Sequence, residues 1–238
     1  MAFATKTDPF GLTGSSQPGY GILECVAVTD NASASLAEAH DEDGTLVAKE
    51  VYGAQIAPSA DYKVKKSGTL EDIVLGAVTT YSTKRVVLTS FSVNTSAGGE
   101  TTVTASGEEV EANSDGTCPA TYTIPDIAVG VCHHAKILAS AFTLSVSGCY
   151  LQSANYTFAC ACGKATKDGV PIAHGVYGAY GEAQIEIIQT GSTPPTITAG
   201  GNWFISSPLS QTNPDADYPT WSATLRLHLA KDSAQSSS

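Results

Sequence analysis

Cys160-Ala161-Cys162 is the spacing in this 238-residue chain that comes nearest to a metal site. Residues two apart on a strand point to one face, so both thiols could meet the same ion. Zinc pairs are usually spaced more widely and need two further ligands. Cys149 and His174 are the candidates to complete such a set. The alternative is that these cysteines act as small buried hydrophobes, which is the commoner use of a strand thiol. His133-His134 is the second feature. Adjacent side chains diverge on either a strand or a helix, so the pair does not address one ion from one rigid face. The acidic runs at Glu38–Glu42 and Glu108–Glu111 lack the spaced oxygen ligands of a calcium loop. They read as solvated charge that discourages strand mispairing.

No nucleophile elbow, phosphate-binding glycine loop, zinc-protease helix or dinucleotide fingerprint occurs. A Ser-His-Asp triad needs no local signature, so an enzyme on a β fold stays open as an alternative. The expectation is a non-enzyme, with no catalytic, cofactor-binding or metal-binding residue assigned and no cofactor. The six cysteines are Cys25, Cys118, Cys132, Cys149, Cys160 and Cys162. Met1–Phe10 has no continuous apolar stretch of the kind a secretion signal carries. The thiols are therefore expected reduced, with pairing left open.

These residues sit on segments that read as strands. Ile22–Val28, Leu46–Tyr52, Asp61–Lys66, Lys84–Val93, Thr101–Ala105, Ala141–Ser147, Tyr156–Cys162, Ala183–Ile188, Trp203–Ile205 and Ala223–Leu229 alternate apolar and polar residues or are rich in β-branched ones. Asp41-Glu-Asp-Gly44 and Ala97-Gly-Gly99 are turns. Ser33–Ala39 reads either as a helical turn or as a strand edge. Ile124, Ile127, Val131, Ala135 and Leu138 recur at intervals that also suit a short amphipathic helix. The fold class expected is mainly β, with at most one or two short helices.

Acidic residues number 23 against 12 basic ones, for a net charge of -11. That balance opposes direct binding to a phosphate backbone and suits a surface that DNA must not stick to. No apolar run reaches the length of a membrane span.

Asp43-Gly-Thr-Leu-Val-Ala-Lys-Glu-Val-Tyr-Gly-Ala54 aligns with Asp168-Gly-Val-Pro-Ile-Ala-His-Gly-Val-Tyr-Gly-Ala179 at an offset of 125, with seven of twelve positions identical. Further on, and allowing a two-residue gap, Ala60–Val64 echoes Ala183–Ile187. Either two Asp-Gly hairpins coincide by composition, or a β unit is duplicated. Duplication is the favoured reading. His174 stands where the first copy has Lys49, which suggests an exposed position. The domains expected are a flexible N-terminal arm (1–20), a first β unit (21–123), a related second unit (124–230) and a disordered tail (231–238).

The strand entering Asp43–Ala48, and the run Leu88-Thr-Ser-Phe-Ser-Val-Asn-Thr-Ser-Ala-Gly-Gly-Glu-Thr-Thr-Val-Thr-Ala-Ser-Gly107, resemble the tail tube (major tail) proteins of tailed bacteriophages. The resemblance covers residues 22–110 and, through the repeat, part of 142–229. It implies a β sandwich or barrel with a helix and a long loop. It implies self-assembly into stacked rings that form a conduit for DNA within a virion built in the host cytoplasm. Partners would be further copies of the chain and other virion proteins. Residues 1–20, or the loop around Asn31–Glu42, would then be assembly contacts. A trimer of duplicated chains would imitate a hexamer. Head decoration or connector proteins are the near alternatives. A cell-surface or carbohydrate-binding module, with Tyr177, Tyr180, Trp203 and Trp221 as an aromatic platform, is the more distant one.

Overall fold

Alternation of apolar and polar residues draws most of the chain into strands. The computed structural model describes residues 7–110, 120–130, 142–144, 148–167, 170–213 and 217–232, and among these there is no helix. The strands are β1 (Leu23–His40), β2 (Leu46–Val64), β3 (Gly68–Leu70), β4 (Val74–Leu75), β5 (Val78–Tyr81), β6 (Lys84–Ser96), β7 (Thr102–Val110), β8 (Tyr122–Thr123), β9 (Ile127–Val129), β10 (Phe142–Leu144), β11 (Cys149–Lys167), β12 (Val170–Gln189), β13 (Ile197–Ala199), β14 (Trp203–Gln211) and β15 (Thr220–His228). The fold is mainly β and contains several sheets.

Nine strands form one sheet in the order β1-β2-β7-β6-β11-β12-β15-β14, with β5 also paired to β6. Every pairing in it is antiparallel. Three two-stranded sheets, β3-β9, β4-β8 and β10-β13, complete the fold. Ser33–Ala39 is strand throughout. Of the segment with helical spacing, Ile127–Val129 is a strand whose buried Ile127 and Val129 flank a half-buried Ala128, a period of two. Residues 131–138 of that segment lie outside the described residues.

One ladder occurs twice along the sheet. A long hairpin (β1-β2, then β11-β12) pairs through its second strand with a short strand (β7, then β15), which pairs with another (β6, then β14). The irregularities match as well. In β1-β2 they fall between Cys25/Ala27, Ser33/Ser35 and Ala39/His40. In β11-β12 they fall between Leu151/Ser153, Ala159/Ala161 and Ala165/Thr166. The partners correspond too: Tyr62 to Ile187, Gln55 to Tyr180, and Leu46 to Pro171. The shift at Leu88/Ser90 in β6 returns at Ile205/Ser207 in β14. The offset of 125 therefore runs along β2 and β12 without the two-residue gap drawn from sequence, which matched side-chain types rather than ladder positions.

The middle bulge explains the repeated Val-Tyr-Gly-Ala. In each hairpin a glycine and an alanine oppose one residue of the partner strand, Gly53-Ala54 against Ala34 and Gly178-Ala179 against Cys160. Gly53 has φ 64° and Gly178 has φ 66°. A side chain there would strain the left-handed backbone that this bulge uses.

The core lies on one face of the sheet. Tyr62, Phe91, Val103, Tyr156, Phe158, Ile185, Ile187 and Leu225 form one cluster with Leu70, Ile73, Leu75, Ile124 and Ile127 from the short strands and their connections. Within residues 7–20 of the expected arm, residues 14–17 and Tyr20 are exposed, but two apolar side chains are anchored. Phe10 and Leu12 are buried. The Asp8 carboxylate accepts hydrogen bonds from the Tyr62 hydroxyl, the Phe10 and Thr13 amides and the Thr13 hydroxyl. Burial, then the Asp8 charge, raises the pKa of the Tyr62 phenol far above its ordinary value. The small polar residues of this segment masked the two apolar anchors among them. Residues 1–6 and 233–238 lie outside the described residues, while Asp232 of the expected tail is tied by its amide to the Thr121 carbonyl.

Candidate functional site: projecting hairpins and open strand edges

The residues with chemical potential are dispersed. Cys160 and Cys162 lie on β11 and pack against the core, and the Cys160 thiol points at the Thr89 carbonyl. Cys149 is the first residue of that strand, far from the pair along it, so it does not complete a set with them. Burial raises the pKa of its thiol above the ordinary range. Among the described residues, no three His, Cys, Asp or Glu side chains are placed to hold one ion. Cys118, Cys132, His133 and His134 lie outside the described residues. His174 is buried rather than exposed, whereas its counterpart Lys49 is exposed, a difference that follows from how the two hairpins sit.

The first hairpin leaves the body as a two-stranded ribbon. Every residue from Thr29 to Val51 is exposed, on both faces. Its base is held by the Tyr81 hydroxyl donating to Asp30, the Ile56 amide donating to Glu109, and the Lys84 ammonium donating to the Ala54 carbonyl. Burial and that hydrogen bond to Asp30 raise the Tyr81 pKa. At the tip, Asp41 accepts from the amides of Asp43 and Thr45. Leu36 and Val51 face one another across the ribbon, and Leu46 and Val47 stand exposed near its tip. Two-stranded ribbons are marginal in water on their own. Contiguous exposed apolar patches mark contact surfaces, whereas apolar residues exposed singly are ordinary.

The second hairpin has the same ladder and different surroundings. Pro171, His174, Val176 and Ala179 are buried. Val176 is 3% exposed, and Val51 at the same ladder position is 66% exposed. Lys164 supplies the clamp. Its ammonium lies 2.8 Å from the Glu108 carboxylate and donates to Gln55 and to the Glu109 carbonyl. The second hairpin thus rests on the middle of β2 and the end of β7, in the first half of the sheet.

The sheet has two open ends. β1 pairs only with β2, and β14 only with β15, among the described residues. Open edges present unpaired backbone groups that recruit further strands unless they are blunted. β14 carries exposed Phe204 and Ile205, and Pro208, which cannot donate, falls within an irregular stretch of it. Beside β14 is a groove lined by Gly178, Ala179, Tyr180, Glu182, Arg226 and His228. Phe204 stacks on His228 at 5.6 Å between ring centres. Arg226 donates to Glu182 at 2.9 Å. The hydrogen bonds from Gln184 and Arg226 hold the Glu182 carboxyl below its ordinary range against the opposing effect of burial.

The aromatic platform does not form. Trp203 is buried and meets Phe158 edge-on, and Trp221 donates to Gln189. Only Tyr177 and Tyr180 are exposed. No helix among the described residues is long and apolar enough to cross a membrane.

Sequence reading missed the ribbon itself. Residues 29–40 lack the alternation that marks a half-buried strand, because neither face meets a core. The repeat was the one signal that could have found it. Its Tyr-Gly-Ala lies at the middle bulge of each hairpin.

No protein-family model matches the chain, and no curated protein matches it in sequence.

Proposed function

We propose that this chain is a self-assembling structural protein of the tail tube of a tailed bacteriophage, stacking in rings around a conduit for DNA. The observation that carries the reading is the Thr29–Val51 ribbon. It projects with both faces exposed and with Leu36, Leu46, Val47 and Val51 uncovered, from a sheet that is open at both ends among the described residues. A ribbon of this kind gains stability when neighbouring subunits cover it, and open edges extend a sheet by backbone pairing. The acidic side chains of the ribbon, Asp30, Glu38, Asp41, Glu42, Asp43 and Glu50, repel phosphate and suit a wall along which DNA slides. The chain contributes strands and edges, with no catalytic step.

Electron microscopy of the purified chain tests this. Rings or tubes with a central lumen are the expected result. A species that stays monomeric by sedimentation at high concentration and across salt conditions overturns it. Assembly only on preformed shells, without a lumen, would transfer the protein to the decoration class.

A further inference from the structure

We propose that the junction between the two halves of the sheet is repeated between copies of the chain, with β14 of one copy pairing antiparallel to β1 of the next. This rests on the assembly reading above and specifies its interface. The template is internal. β6 pairs with β11 so that Asn94 opposes Asn155 and Ser92 opposes Thr157. β14 is the counterpart of β6, and β1 that of β11, with matching bulges apart from one further irregularity in β14 between Ser207 and Ser210. Transferring the register places Thr212 of one copy opposite Thr29 of the next, and Ser210 opposite Asn31. Both edges have no second neighbour among the described residues, as the template demands.

The hairpins supply the second line of argument. Within the chain, the β11-β12 hairpin crosses the junction and sets Lys164 against Glu108. By the ladder correspondence, Lys164 becomes Glu38 on the ribbon and Glu108 becomes Arg226 on β15. The pair is kept with its charges exchanged. The groove at Gly178, Tyr180, Arg226 and His228 is the counterpart of the seat that Lys164 occupies. A ribbon lying there would cover Val51 as Val176 is covered now. The occupant is therefore a second copy of this chain, joined head to tail, an arrangement that closes into rings or continues as a filament. A closed ring would carry twice as many hairpins as chains.

Two sets of variants of the full chain test the register. In the first, Thr29→Cys and Thr212→Cys are combined, the protein is mildly oxidised, and disulfide-linked peptides are identified by mass spectrometry. A dominant link between 29 and 212 is expected, and it must be intermolecular because the two strands are at opposite ends of one sheet. In the second, Glu38→Arg and Arg226→Glu should each weaken assembly by about tenfold or more, and the double variant should recover most of it. Lys63→Gln, which removes an exposed ion pair with Glu100 outside the groove and off both edge strands, should leave assembly intact. Circular dichroism confirms that each variant folds. Tubes that form without the 29–212 link, or charge reversals that do not rescue one another, overturn this interface and leave the tube reading standing. A chain that remains monomeric throughout overturns both.

Discussion

The two long hairpins share a ladder, three bulges and a glycine at φ near 65°, yet one is seated and the other stands free. Val176 and Val51 are the same residue at the same position, one in the core and one in solvent. The difference lies in what is next door. β11-β12 has the first half of its own chain to rest on. β1-β2 would need the second half of another. On the proposed assembly, this asymmetry reflects the neighbour that the ribbon would gain rather than a different ladder.

Shortening each hairpin at its middle bulge should have the largest effect. Replacing 160–179 with a two-residue turn should cost several kcal/mol of monomer stability, about 3–6, through lost burial and the lost Lys164 contacts. Replacing 34–54 in the same way should shift the thermal midpoint little while abolishing assembly by light scattering. Equal losses of stability in the two deletions would end the argument.

A sharper and smaller test uses one residue. Val176→Asp should cost about 3 kcal/mol in chemical denaturation, because the charge is buried without a partner. Val51→Asp should leave the monomer within about 0.5 kcal/mol and block assembly. Gly178→Ala should cost roughly 1 kcal/mol from backbone strain. Gly53→Ala should show instead as faster amide exchange confined to the ribbon, with the main transition unmoved.

The smallest effect concerns the open seat. Glu182 has its pKa lowered from the ordinary 4.5. Its contribution is present above that value and is lost as pH falls through the lower folded pKa. Melting curves of the wild type and Glu182→Gln should differ near neutral pH by a few tenths of a kcal/mol. They should converge in acid. A gap that widens in acid would contradict the assignment.

Much of the body was legible. Thr102–Ala105, Ala183–Ile188 and Ala223–His228 alternate because one face of each meets the core, Lys84–Val93 is rich in β-branched residues, and all are strands. Leu225 and Leu227 are buried, and Arg226 and His228 between and beyond them are exposed. The ribbon was not legible as one continuous element, since alternation records burial and this segment has none. The packed segment at Phe10 and Leu12 was missed for a related reason. Two anchors among Gly, Ser and Thr make no period, and what holds them is a carboxylate meeting Tyr62 from a distant strand. The Cys160-Ala-Cys162 spacing was read correctly as sharing a face, but the face is that of the core.

By itself the sequence determined the strand content, the Asp41–Gly44 turn and the repeated Val-Tyr-Gly-Ala, because alternation, turn chemistry and the need for glycine at a left-handed bulge are local. Only the tertiary structure decided that the repeat is a register repeated through four bulges, and that His174 is buried while Lys49 is not. It also decided that, among the described residues, the sheet ends at β1 and β14. Pairing and burial depend on which strand lies beside which, and residues far apart in the chain set that.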